Sequence, residues 1–218
     1  MATSIPAVRL QTGWFGTDLG EYRPCDGTYE LYPAESLPPL PADGFGTGFG
    51  WLRSADAVNG ECMQPAKLPP HLAAPLPPAF EQFMQSPELQ SAVPSCTACY
   101  WDVSGKVVPG PFDDGATLLR FLNDQQSCVH WYLYLEPDGS HRVVAGGGYY
   151  DDPYPAARAD MRQDLIVVAP DFERFVYRFW VENVAWYEAV EEEREWDALS
   201  GPVVDYLTHY REEFSRGD

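Results

Sequence analysis

Between residues 172 and 187 apolar positions recur at three- and four-residue spacing, so that Phe172, Phe175, Val176, Phe179, Trp180, Val184 and Tyr187 share one side of a helix. The spacing predicts a long helix buried against something large. Asp171, just after Pro170, suits its cap position: the carboxylate accepts a bond from an unpaired first-turn amide and sits at the positive end of the helix dipole. A β-branched run over 165–169 predicts a strand leading into it. Two further runs, 128–135 and 141–145, favour strands. Between them Glu136-Pro137-Asp138-Gly139 supplies a fixed φ, a local side-chain bond and tolerance of positive φ, and so predicts an antiparallel hairpin.

Other stretches carry weaker patterns. Apolar residues at 80, 83 and 84 after Leu76-Pro77-Pro78 predict a short helix opened by proline. Residues 98–103 read as a strand ending at a Ser104-Gly105 turn. Residues 116–124 suit a helix or a strand, because they hold too few β-branched residues to decide. A last helix is expected over 203–214, after Ser200-Gly201-Pro202. The pattern changes near residue 76, and residues 1–75 read as a Pro/Gly-rich N-terminal extension packed on the main domain. Its prolines at 38, 39 and 41 and glycines at 44, 46, 48 and 50 argue against long regular elements. Short strands and ordered loops are expected there, since Trp14, Phe15, Tyr22, Tyr29, Phe45, Phe49 and Trp51 give the tract something to bury.

Charge changes the picture more than length does. The 218 residues, 45% hydrophobic and 14% aromatic, suffice for one well-buried core. They also carry 33 acidic against 14 basic residues, a formal net charge of -19. Such a surface repels phosphate backbones and anionic membranes, so neither nucleic acid nor membrane is an expected partner, whereas a basic protein would be steered in. Solubility alone is the plainer use of the same charge. No apolar run is long enough for a membrane span, and the first residues lack the basic start and apolar core of a signal peptide. Cys25, Cys62, Cys96, Cys99 and Cys128 are odd in number and scattered, unlike a disulfide framework. Reduced thiols and a cytoplasmic location are expected.

Candidate chemistry is sparse. Cys96 and Cys99 have the spacing of half a zinc site or of a redox dithiol, but a second close pair is missing, and they read as two small buried thiols. His71, His130, His141 and His209 form no metalloenzyme motif; His130 and His141 lie on the two hairpin strands and read as packing or surface residues. The dense carboxylate groups are Asp113 with Asp114, Asp151 with Asp152, and Glu191 with Glu192 and Glu193. Their places in turns and at exposed helix ends predict solvated faces. There is no nucleophile elbow, and the 44–50 glycines fit neither a phosphate loop nor a dinucleotide fingerprint. No catalytic residue, cofactor or metal is expected, and the aromatic stripe of the 172–187 helix reads as core and not as the wall of a ligand site.

Leu76-Pro77-Pro78-Ala79-Phe80-Glu81-Gln82-Phe83-Met84 resembles the entry motif of the SUKH superfamily, the Smi/Knr-like proteins. Trp131 to Leu135 with Asp138 and Gly139 resembles its central hairpin, and 167–188, with Asp171-Phe172-Glu173-Arg174-Phe175, looks like its closing segment. The likeness covers roughly residues 70 to 190. It implies an α+β domain over 76–218 with a mainly antiparallel sheet flanked by helices. It also implies a binding module, since many bacterial members are immunity proteins that neutralise a cognate toxin, often a nuclease, and fungal members serve as signalling adaptors. The expectation is therefore a non-enzymatic protein-binding domain that meets a basic toxin through an acidic surface. Asp113, Asp114, Asp151 and Asp152 are the expected contacts, with Glu191, Glu192 and Glu193 as a second patch. The alternatives are a regulatory or signalling adaptor, and a small-molecule enzyme with a pocket between the N-terminal tract and the sheet, lined by Trp14, Trp51, Tyr149, Tyr150 and His130.

Overall fold

The hairpin stands at the centre of the sheet. In the computed structural model, which describes residues 10–46, 48–55, 60–72, 74–151 and 158–214, eight strands form one sheet. They are β1 (Gln11–Gly16), β2 (Glu30–Pro33), β3 (Tyr100–Trp101), β4 (Val108–Pro109), β5 (Thr117–Asn123), β6 (His130–Leu135), β7 (His141–Gly146) and β8 (Ile166–Ala169). Their order is β2-β1-β8-β7-β6-β5-β3, with β4 also on β5, and every pairing is antiparallel except β1 with β8. Helices α1 (Gly50–Arg53), α2 (Pro78–Met84), α3 (Pro87–Ser91), α4 (Arg158–Asp164), α5 (Phe172–Ala185) and α6 (Gly201–Phe214) complete an α+β fold.

Local chemistry explains the elements. Gly139, at φ 88°, closes the β6–β7 turn with its amide on the Glu136 carbonyl at 3.0 Å, while Asp138 accepts from the Ser140 amide. Asp171 caps α5 by accepting from the Arg174 amide at 2.9 Å. Residues 116–124 resolve as the strand β5, paired on both edges, and the strand expected over 98–103 shortens to Tyr100–Trp101. A bulge between Arg120 and Leu122 resets which side chains face which layer. Leu119 pairs with Leu133 and Arg120 with Tyr132, but the next partners are Leu122 with Trp131 and Asn123 with His130. The extra residue sends both Phe121 and Leu122 into the main core and brings Asn123 to the face that carries Arg120.

Two hydrophobic layers enclose the sheet. On one face α5 buries Phe172, Phe175, Val176, Phe179 and Val184, and the Phe172 ring meets Phe49, Phe80, Phe83 and Phe121 at 4.9 to 6.3 Å. Each fully buried ring contributes about 1.5–3 kcal/mol of transfer free energy, so this face dominates the stability of the fold. On the other face Leu118, Tyr132, Tyr134 and Val144 pack against Tyr150 and, from α4, Met161.

The polar residues of α5 face inward as well, and they hold the N-terminal tract. Glu173 accepts from the amides of Gly46 (2.7 Å) and Phe49 and from Trp51 Nε1 (3.2 Å). Arg178 donates to the Pro38 carbonyl at 2.9 Å, and Glu182 receives Arg23 and Trp14. Burying these groups is tolerable because their charges are matched, although Arg23 Nε is left without a hydrogen-bond partner, and the matches tie residues 14–51 to one helix. With β1 and β2 in the sheet, the tract is part of the same core as the rest.

Candidate functional site

Past Ala185 the long helix widens into a π-helical segment, Trp186–Glu191, and it ends where Glu193 turns to φ 48°, a left-handed value that costs a non-glycine residue about 1–2 kcal/mol. Glu188 is drawn inward, where it accepts from the Ser200 amide at 2.8 Å and pairs with Arg194. Glu192 takes the Nε of the same arginine at 2.6 Å. Glu191, Glu193, Glu195 and Asp197 remain on the surface, and none of them forms an ion pair among the described residues. Half-buried Trp196 sits amid them, 6.0 Å from the Tyr22 ring and under the Arg211 guanidinium at 4.1 Å. Glu21 arrives with Tyr22, since a Cβ at Gly20 would lie 3.6 Å from the Val190 side chain. Burial and then the charge of Glu21 push the Tyr22 phenol above its ordinary pKa against the opposing charge of Arg211, with a smaller upward push from Glu195. The result is an aromatic pair beside several exposed carboxylates, with Arg211 as the cation among them.

The 151 position behaves differently. Arg120, 3% exposed, gives Nε and NH2 to the two Asp151 oxygens at 2.9 and 3.0 Å, NH1 to Asp102 Oδ2 at 2.7 Å and to Asn123 Oδ1 at 3.0 Å, and NH2 again to the Tyr149 hydroxyl at 2.7 Å. Burial by itself would raise the Asp151 carboxyl, but the hydrogen bonds and charge of Arg120 outweigh it and hold it low. Asp151 is thus not the solvated turn residue that its neighbourhood predicts. Both oxygens are engaged, and the pair fastens the residues after β7 to the sheet. His130 Nδ1 lies 2.9 Å from the same Asn123 oxygen, with its ring edge-on to Tyr149 at 5.1 Å. Burial, then the Arg120 charge, lowers its pKa.

The other expected contacts lie elsewhere. Asp113 is exposed and pairs with Arg158. Asp114 accepts from the Ala116 amide at 3.0 Å and the Tyr134 hydroxyl at 2.9 Å, so it closes a turn. Asp152 lies outside the described residues. Burial pushes the Cys96 thiol up to about 12 and raises that of Cys99; both are free thiols. The five residues of the alternative pocket do not converge. Trp14 is core, with Nε1 on Glu182 at 2.8 Å, whereas Tyr149, Tyr150 and His130 belong to the opposite face of the sheet. Trp51 instead opens onto a cleft of about 330 Å³ between the N-terminal tract and α5.

Pattern alone could have extended the 191–193 cluster through Glu195 and Asp197, which continue the acidic run around Trp196. Nothing local points to Glu21 and Tyr22, which reach the patch only through the fold. No protein-family model, curated protein or solved structure matches the chain.

Proposed function

We propose that the chain is a non-enzymatic protein-binding domain that docks a basic partner on the acidic patch around Tyr22 and Trp196. On this reading it acts as a SUKH-like immunity protein that occludes a cationic toxin, such as a nuclease. One observation carries the reading: most of the described arginines are turned to internal use. Arg23, Arg120, Arg142, Arg158, Arg174 and Arg194 form ion pairs, Arg178, Arg162 and Arg53 donate to backbone carbonyls, and Arg211 lies over Trp196 within the patch, where the exposed carboxylates of the 191–197 segment outnumber it and set the surface potential. An aromatic pair inside a charged rim is the usual anatomy of a docking hot spot: the rings supply contact area, and the rim charges steer the approach.

The test is capture of the partner from the native host, followed by association kinetics. Glu191→Gln, Glu193→Gln and Glu195→Gln combined should slow association by about tenfold at low salt and leave the fold intact. An unchanged association rate would remove the patch from the account.

A further inference from the structure

The cleft that Trp51 enters is walled by aromatic rings. Phe45 comes from the glycine-rich loop, Trp51 from α1, and Tyr177 and Trp180 from successive turns of α5. Phe45 stands at 90° to Tyr177 with centroids 5.5 Å apart, Trp51 at 72° to Tyr177 (5.0 Å) and at 58° to Trp180 (5.5 Å). Rings in such edge-on and tilted contact form one continuous aromatic wall of the cleft, with Trp180 as its buried floor. The wall is held from behind by the Glu173 carboxylate, which binds the Gly46 amide next to Phe45 and the indole N–H of Trp51. A carboxylate on that N–H also enriches the indole face in electron density, which favours a cation.

Charge completes the selection. Asp43 lines the cleft together with Ser54, and the Tyr177 phenol on its wall has its pKa raised by burial first and by the charge of Asp205 second. Phe45 carries the Arg174 guanidinium at 4.7 Å, and that cation is paired with Asp171, which limits its repulsion of a second positive group. An unmodified ammonium would bring three donors into a lining with few side-chain acceptors and would lose hydration without replacing it. An alkylated ammonium brings the same charge and asks for no hydrogen bonds. We propose that this cleft is a binding site for a quaternary or trimethylated ammonium group, seated among Phe45, Trp51, Tyr177 and Trp180 with Asp43 at its edge. The group can arrive on a free amine or on a methylated lysine. The site uses no residue of the acidic patch and does not depend on the docking reading.

Titration calorimetry on the full chain tests it with four probes: choline, its neutral isostere 3,3-dimethylbutanol, a trimethyllysine peptide and the same peptide with unmodified lysine. Choline should bind about tenfold more tightly than the isostere, because the two differ in charge and hardly in shape. Asp43→Asn should weaken choline binding with the melting temperature unchanged, and Phe45→Ala should abolish it. A trimethyllysine peptide that binds more tightly than choline and than its unmodified twin would identify a protein-borne group; choline as the tighter ligand would identify a free amine. Equal binding of choline and isostere, or saturable binding of none of the four probes, overturns the proposal.

Discussion

Arg23 and Glu182 meet in a two-pronged pair, NH1 to Oε1 at 2.6 Å and NH2 to Oε2 at 2.9 Å, with both side chains 4% exposed. Trp14 Nε1 and the Tyr206 hydroxyl donate to the same carboxylate at 2.8 and 2.5 Å, so strand β1 and helices α5 and α6 share one anchor. Removing one partner strands the other in the core. Glu182→Gln or Arg23→Met should therefore cost about 3–5 kcal/mol in urea unfolding, and the double variant should cost clearly less than the sum. Strict additivity would mean that the two side chains do not depend on each other.

Gly16 lies against that pair, and a Cβ there would fall 2.5 Å from Arg23 NH2. Gly16→Ala should displace the guanidinium and destabilise by about 1–3 kcal/mol, although Ala is ordinarily the better strand residue. A neutral or stabilising effect would contradict the packing described for Arg23.

Acid should weaken the fold through Glu182 in a definite sense. Burial alone would raise its carboxyl, but the charge and hydrogen bonds of Arg23, aided by Tyr206, more than offset this and hold it below its ordinary 4.5. The native state then binds fewer protons than the unfolded one in this window. The contribution is complete above pH 4.5 and drains away as pH falls through the folded value. Urea midpoints should drop on acidification below that pH in the parent chain, and the drop should be shallower in Glu182→Gln, which has no carboxyl to titrate there.

How much of this can be read from residues alone depends on range. The β6–β7 hairpin, the Asp171 cap and the proline-opened α2 follow from contacts within a few positions, and local pattern foresees them. The 116–124 stretch is ambiguous in the sequence because its identity as a strand comes from β6 and β3 on either side. Asp151 reads as a surface carboxylate for the same reason: its partner Arg120 is 31 positions away and reaches it only across the sheet. The polar residues of α5 are hidden by the apolar period around them, and Glu173, Arg178 and Glu182 acquire meaning only once residues 14–51 are folded onto them. Tyr177 escapes a pattern reading too, because it falls off the apolar stripe and onto the cleft.

His130 provides a second titration. Burial first and Arg120 second lower its pKa from 6.5, so the native state binds fewer protons there than the unfolded chain, and stability is lost as pH falls below 6.5 toward the folded value. In proton NMR its ring signal should titrate below 6.5. Arg120→Gln should move that midpoint upward, since it removes a neighbouring cation and leaves Asp151 unpaired; a downward shift would contradict the arrangement around Asn123.

The thiols should separate by exposure. Cys128 is exposed and should be the first of the three to react with a disulfide reagent in the native protein, although burial and then the Asp124 charge raise its pKa, whereas Cys99 is 4% exposed and Cys96 resists ionisation, its pKa raised to about 12. Both should react only as the chain unfolds. Fast native labelling at Cys96 or Cys99 would mean that this corner opens.

The docking proposal stands or falls on how association with the captured partner responds to ionic strength. If the carboxylates of the 191–197 segment steer a cationic protein, the association rate constant falls steeply as salt rises while dissociation changes little. A rate that is the same at low and high salt would show that these charges play no part in finding the partner.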